Sequence, residues 1–406
     1  MAGAVTVATM LITADVLVTG DEVLRPGWLE VSGGTVTALG AGDPPRPPAP
    51  GDMALGAVTV VPGFVDMHVH GGGGGAFPVA NDEDTATAVA AHLAHGTTTI
   101  MASLVSARPG ELLREIDVIS GHVRDGLVGG IHLEGPWLAP SKKGAHDPGA
   151  LRSPDPEQVR RVLEAGRDTV RMVTLAPELD GALDAVRQIV DAGMVAAVGH
   201  TDATYERTLA AIEAGARVGT HLFNAMRPVH HRHPGPVTAL VQDPRVTVEM
   251  IGDGVHLHPA LYRGVCELVG PDRVTLVTDA MAAAGMPDGA YRLGTVDVEV
   301  AGGVAHVAGT DTIAGSTATM DQLFRFAVRL SLKTASDPDS ETSTATSDAA
   351  LLRAVRQTSV NPARVVGFPT AGLHPGGRAD LVVLNADLQV AAVMRGGEVV
   401  AANSEA

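Results

Sequence analysis

The run Val61-Pro-Gly-Phe-Val-Asp-Met-His-Val-His70 decides how the rest of the chain reads. Its apolar part has the composition of a buried strand, and it closes on two histidines spaced two apart. In an extended backbone that spacing points both imidazoles to the same side. An apolar strand that stops at a metal-capable pair is a strand running toward a functional face.

The pattern recurs downstream. Short apolar runs at 64–70, 97–102, 128–134, 170–176, 195–200, 218–221, 246–251 and 274–279 alternate with Ala-rich, charged stretches of helical character. Eight buried-type strands with helices between them predict an α/β fold, a (β/α)8 TIM-like barrel. Upstream, residues 5–40 fall into short β-like runs (Thr13 to Val18, Trp28 to Val31, Thr35 to Leu39), followed by a proline-rich break at 44–50. After Pro369 the short β pattern returns, at 380–384, 390–394 and 396–400. The two ends of the chain resemble each other and not the middle. They are expected to build one small β-sandwich domain from residues 1–60 and 370–406, beside a catalytic barrel at 61–369. Residues 333–348, rich in Ser, Thr and Asp, lack apolar periodicity and are expected to be a mobile loop.

Composition bounds the partners. The 406 residues are 45% hydrophobic but only 3% aromatic, so Ala, Val, Leu and Gly must fill the core. A net charge of −17 argues against nucleic acid or an anionic membrane. It leaves room for an anionic small molecule, because a local cation can override the global sign. The single cysteine, Cys266, precludes an intrachain disulfide and reads as a buried thiol on a helix. No basic n-region opens the chain and no apolar span approaches the roughly 20 residues of a membrane helix, so a cytoplasmic protein is expected.

The chemistry lies where the apolar runs stop. His68 and His70 close the first run, Glu134 the third, His200 the fifth, His221 the sixth and Asp279 the eighth. In a barrel of this kind the C-terminal strand ends form the active face, so these side chains should converge. Imidazoles and carboxylates are ligands for Zn²⁺ or a similar divalent ion, and so many buried ionisable groups would be costly without a cation. Taken singly each has a blander reading; Asp279, for instance, suits a helix N-cap. The glycines at 71–75 look like a phosphate cradle but lack the Lys-Ser/Thr of a P-loop.

The first run resembles the opening barrel strand of the amidohydrolase superfamily. Sharper motifs follow: His132-Leu-Glu-Gly-Pro-Trp-Leu with Lys142-Lys-Gly-Ala-His146, then Gly199-His-Thr-Asp, Thr220-His-Leu-Phe-Asn-Ala-Met and Leu276-Val-Thr-Asp-Ala. In kind and order they resemble the N-acetylglucosamine-6-phosphate deacetylase family. The fourth run carries no lysine that could bridge two metals, and Glu134 is the family's substitute. The resemblance implies that Glu134, His200 and His221 hold one metal, and that His68 and His70, sharing Glu134 and Asp279, hold a second; zinc is the expected ion. It implies hydrolysis of the acetamide of N-acetylglucosamine 6-phosphate by metal-activated water, with Asp279 as base and then acid and His256 polarising the carbonyl. His146, Asn224, Ala225 and Arg232 would bind substrate, Arg232 from a neighbouring subunit of a homodimer. The stretch 227–233 holds two arginines and three histidines, and a solvated basic loop is the competing reading. The rival functions are an amidohydrolase acting on a different amide, dihydroorotase-like or acting on N-acyl amino acids, and a non-catalytic barrel used for binding. Amino-sugar catabolism and cell-wall recycling both stay open.

Overall fold

The computed structural model describes residues 9–332, 347–369 and 371–402. Eight parallel strands form one sheet: β1 (Phe64–Asp66), β2 (Thr97–Leu104), β3 (Gly130–Glu134), β4 (Val170–Leu175), β5 (Val195–Val198), β6 (Val218–Gly219), β7 (Thr247–Met250) and β8 (Val274–Leu276). Each pairs with its sequence neighbour, in the order β8-β7-β6-β5-β4-β3-β2-β1. The seam between the two ends is joined just beyond the strands. Asp279 N donates to His68 O at 2.9 Å, and the Asp66 carboxylate accepts from both the amide and the hydroxyl of Thr278. The eight expected runs are the eight strands of a TIM-like barrel.

The helices between strands show why the chain can spare aromatics. In Ala182–Asp191 the buried residues are Ala182, Ala185, Val186 and Ile189, the i, i+3, i+4, i+7 stripe of an amphipathic helix. Small side chains on that stripe let helix and sheet approach closely, and the barrel strands are buried on both faces. Cys266 is buried on the helix Pro259–Val269.

The chain termini build two further sheets. One orders Thr35–Ala41, Gly27–Ser32, Met10–Ala14 and Met53–Ala54; the other orders Glu398–Ala402, Val390–Arg395, Leu381–Leu384, Thr59–Pro62, Val16–Val18 and Val23–Leu24. Ile12, Leu29 and Val31 from the first share a core with Leu17, Val60, Leu381 and Met394 from the second, which makes a β-sandwich. The run 13–18, expected as a single strand, is two: exposed Asp15 breaks it, and the halves belong to different sheets.

Two compact units emerge, one of Met1–Val65, Leu93–Thr99 and Met320–Ala406, the other of Asp66–His92 and Ile100–Thr319. The boundary differs from the expected 61 and 369, because the helices Met320–Leu332, Asp348–Val355 and Asn361–Val365 group with the terminal sheets. Of the expected loop at 333–348, residues 333–346 lie outside the described residues. Ser347 instead caps a helix that begins at Asp348, accepting from Ala350 N at 3.2 Å.

A three-stranded antiparallel insert, Gly289–Leu293, Val296–Ala301 and Val304–Val307, follows β8 and was not expected. Its signal was present: Val296-Asp-Val-Glu-Val alternates, and Gly302-Gly303, both at positive φ, is a hairpin turn. Leu293, Val298 and Val300 pack it on Val105, Met281 and Ala283.

Candidate active site

The hydrogen-bonded strands stop short of the residues expected to end them. His200 and His221 lie two residues beyond β5 and β6, and Asp279 three beyond β8. All three adopt left-handed backbone, at φ +47°, +26° and +48°. Non-glycine residues pay for that conformation, and such strain gathers at functional sites. Here it swings the side chains back over the barrel mouth. Glu134 is the last residue of β3, and His68 and His70 follow β1.

The side chains meet. His200 Nε2 and His221 Nε2 each lie 2.9 Å from Glu134 Oε1. His70 Nε2 lies 3.1 Å from Glu134 Oε2 and 3.2 Å from Asp279 Oδ1, and His68 Nε2 lies 3.4 Å from Asp279 Oδ1. All are buried. Among the described residues two groupings have potential ligand atoms within 4.8 Å of one another: His68, His70 and Asp279, and Glu134, His146 and His200. His146, expected to touch substrate, therefore sits against Glu134 itself, with Nε2 3.2 Å from Oε2.

The far sides of the rings explain what the near sides can hold. His70 Nδ1 faces Ser103 O at 3.1 Å, and His200 Nδ1 faces Lys142 O at 2.8 Å. A carbonyl only accepts, so these nitrogens carry the proton and Nε2 is left to present a lone pair. Yet Nε2 of His68 and His70 are 3.3 Å apart, and those of His200 and His221 3.1 Å apart. Ring nitrogens so placed beside two carboxylates call for a positive charge among them. The donor set, imidazoles with carboxylates, fits a divalent ion such as Zn²⁺.

Protonation shows the same demand. Burial opposes charge on His70, but hydrogen bonds and charges from Asp279 and Glu134 outweigh it and raise the ring to about 9. Burial is likewise overcome at His68, by Glu134, Asp279 and Glu249, and its pKa lies well above the usual value. Glu134 and Asp279 are held below the usual carboxylate range: burial opposes this, and the neighbouring imidazoles, His68 foremost, prevail. His146 is the exception, since burial wins and lowers it to about 4.

The mouth opens into a cavity of about 400 Å³ whose lining includes His70, Lys142, His146, Asn224, Ala225, His256 and Asp279. Asp253 holds His256 through Nδ1 at 2.7 Å, leaving Nε2 available to a ligand. Burial opposes charge on His256, but Asp253 raises its pKa. Ala225 sits at φ +50°. Arg232 is not among the lining residues; it is exposed, with Nη1 2.7 Å from His231 Nε2. Arg227 is engaged by Asp202 at 3.0 Å. The glycines at 71–75 form a tight hairpin against the backbone of Ala280, Ala282 and Ala284, with Gly73 and Gly74 at positive φ. A Cβ at Gly72 would meet the His92 ring at 2.7 Å, which accounts for glycine there.

Four residues behind the mouth escaped the sequence reading. Glu249 accepts from His68 Nδ1, Asp66 ties β1 to the Thr278 turn, and Asp253 orients His256. His132 lies between Ser103 Oγ at 2.9 Å and Thr174 Oγ1 at 2.8 Å. In the sequence Glu249 shows only as a lone carboxylate within a buried-type run, with nothing to mark it as a partner of His68.

Comparison with known proteins agrees with this geometry. The family model described as "Amidohydrolase family" matches residues 59–400. N-acetylgalactosamine-6-phosphate deacetylase of Escherichia coli O157:H7 is 35% identical over 342 residues, covering 82% of this chain and 85% of its own. N-acetylglucosamine-6-phosphate deacetylase of Bos taurus is 37% identical over 362 residues, covering 85% and 84%. A solved mutant of N-acetyl-D-glucosamine-6-phosphate deacetylase from Mycobacterium smegmatis, in complex with N-acetyl-D-glucosamine-6-phosphate, is 59% identical with a TM-score of 0.92, covering 97% of this chain and 100% of its own. With these motifs in place along the whole barrel, the chain belongs to the amidohydrolase family and, within it, to the N-acetylglucosamine-6-phosphate deacetylases.

Proposed function

We propose that this chain hydrolyses the acetamide of N-acetyl-D-glucosamine 6-phosphate to D-glucosamine 6-phosphate and acetate. The observation that carries the reading is the meeting of His70, Glu134, His200, His221 and Asp279 in the lining of one cavity, with His68 buried against His70 and Asp279. The Mycobacterium smegmatis relative solved with that sugar phosphate supports the choice of substrate.

Glu134, His200 and His221 would hold one zinc ion, and His68, His70 and Asp279, with Glu134 between the groups, a second. A divalent ion there supplies a Lewis acid and lowers the pKa of a coordinated water toward about 7. Asp279, kept ionised by its neighbours, accepts a proton from the attacking water and returns it to the departing amine. His256, oriented by Asp253, donates from Nε2 to the acetyl oxygen as negative charge grows on it. His146 borders the sugar. Asn224 and Ala225 line the same cavity, and a backbone amide with the Asn224 side chain would meet the phosphate.

Among the described residues the cavity lining holds no guanidinium for a dianionic phosphate: Arg227 is paired with Asp202, and Arg232 is exposed beside His231. Arg232 of a second copy completes the site, which makes the working form a homodimer. Replacing Arg232 with Ala should raise KM for the 6-phosphate substrate with little change in kcat, and leave KM for the unphosphorylated sugar unmoved. The setting is cytoplasmic amino-sugar catabolism or cell-wall recycling; among the described residues no helix is long and apolar enough to cross a membrane.

A second reading has its own support: the Escherichia coli relative is named for the galactose epimer. Acetate release from both N-acetylhexosamine 6-phosphates, at equal concentrations and saturating zinc, tests the choice. A larger kcat/KM for the gluco compound is expected. Preference for the galacto compound would move the substrate, and turnover of neither would remove the deacetylase reading.

A further inference from the structure

Building on the metal-hydrolase reading above, we propose that Glu249 is the positioning residue that fixes His68 as a ligand and so enables the His68–His70–Asp279 group to hold its own divalent ion.

Glu249 lies on β7 and is fully buried. A carboxylate in such a place is expensive unless it is matched by donors. One oxygen has both donors: Oε2 lies 3.1 Å from His68 Nδ1 and 3.1 Å from the backbone N of His221. The other, Oε1, has no hydrogen-bond partner among the described residues. A merely structural carboxylate would be expected to satisfy both oxygens; this one spends its contacts on two residues of the metal cluster.

The four histidines of the cluster differ in what stands behind them. His70 and His200 rest on backbone carbonyls, which every sequence supplies. His221 Nδ1 has no partner among the described residues. His68 alone is backed by a side chain, and by one carrying a full charge. A carboxylate accepts the Nδ1 proton, commits Nε2 to the lone pair and makes that nitrogen a stronger donor to a cation. Nε2 is the atom that faces His70 and Asp279. The choice of residue at 249 therefore bears first on the His68 half of the centre, and reaches the Glu134–His200–His221 half only through the His221 amide and the 3.6 Å approach of His68 Nε2 to Glu134 Oε1.

The test is zinc binding to the full chain. Metal-free protein is titrated with zinc, and the equivalents bound and the two stepwise affinities are measured, for wild type, Glu249→Gln, Glu249→Leu, His68→Asn and the double variant His68→Asn/Glu249→Leu. Wild type should bind two equivalents. Glu249→Leu should weaken only the second, by about 10–100-fold. Glu249→Gln, which keeps an acceptor oxygen and loses the charge, should fall between them and serves alone should the Leu variant not fold. The double variant should bind zinc no worse than His68→Asn, since Glu249 acts through that ring. Unchanged second-site affinity in both Glu249 variants would overturn the proposal, as would equal weakening of both sites or a double variant that also loses the first ion. A wild-type chain that binds one ion overturns this inference and leaves the hydrolase reading standing; one that binds none overturns both.

Discussion

Two stretches of this chain are rich in histidine and end in opposite situations. His68, His70, His200 and His221 are buried, lie just past the ends of barrel strands, and turn Nε2 toward two carboxylates. His230, His231 and His233 are exposed on a loop, and their close contacts are largely with one another: ring centroids of 4.3 Å and 5.5 Å, and the Arg232 guanidinium on His231. The residue type is the same and the local density is higher in the loop. What separates the two is an acceptor behind each of most rings and charge in front of it. Three of the four buried rings have an acceptor behind the far nitrogen and all four turn the near one to carboxylate, whereas the ring nitrogens of His230 and His231 meet only Arg232 among the described contacts.

The comparison breaks most visibly through the carboxylates. Asp279→Asn should lower kcat on the order of 10²–10⁴-fold while the protein stays folded, measured as acetate release with circular dichroism alongside. Full activity in that variant would remove Asp279 from proton transfer. A second effect reads the charge demand through pH. His70 in the metal-free protein titrates near 9, above the ordinary 6.5, so its stabilising contribution is complete below pH 6.5 and is lost as pH rises through 9. Metal-free protein should therefore lose thermal stability between those values, by several degrees in Tm, while zinc-loaded protein should not follow it. Parallel curves for the two forms would contradict the assignment of that charge to the metal cluster.

A sharper contrast comes from Glu115, a carboxylate buried in the helix Pro109–Arg124 and given no imidazole partner. Burial raises its pKa to about 7, only partly countered by Arg114, and Oε2 has no hydrogen-bond partner among the described residues. The folded state keeps a proton that the unfolded chain releases above about 4.5, so stability falls as pH climbs from there to 7. Glu115→Gln should stabilise the protein at pH 8 by about 1–3 kcal/mol and change little at pH 4.5, read by denaturant unfolding. The smallest effect belongs to the loop: His230→Ala and His233→Ala should shift stability by less than about 0.5 kcal/mol and leave zinc content unchanged. Loss of zinc in either would join the two histidine groups that the structure keeps distinct.

How far the sequence could be read follows from the same physics. Barrel strands are continuous apolar runs, and a run that stops at a polar residue marks both a strand and its active end, so the barrel and six strand-end residues were legible together. The strand ends themselves were misplaced because left-handed turns at His200, His221 and Asp279 carry no glycine to signal them. The insert after β8 was overlooked although Val296 to Val300 alternates, because attention to long apolar runs discounts a half-exposed strand. Glu249 and Asp66 were illegible as supporting groups. Each is a lone acid beside apolar residues, and only the fold brings them against His68 and Thr278, at sequence separations of 181 and 212. Arg232 marks the other limit: the role proposed for it needs a second chain, which periodicity within one chain does not encode.

The most direct measurement is acetate release from N-acetyl-D-glucosamine 6-phosphate by one preparation before chelation, after chelation and after return of zinc. Activity that disappears with the metal and returns in proportion to zinc bound is expected. Undiminished turnover by protein shown to be metal-free would contradict the central claim that the meeting of histidines and carboxylates at the barrel mouth is a metal-dependent catalytic centre.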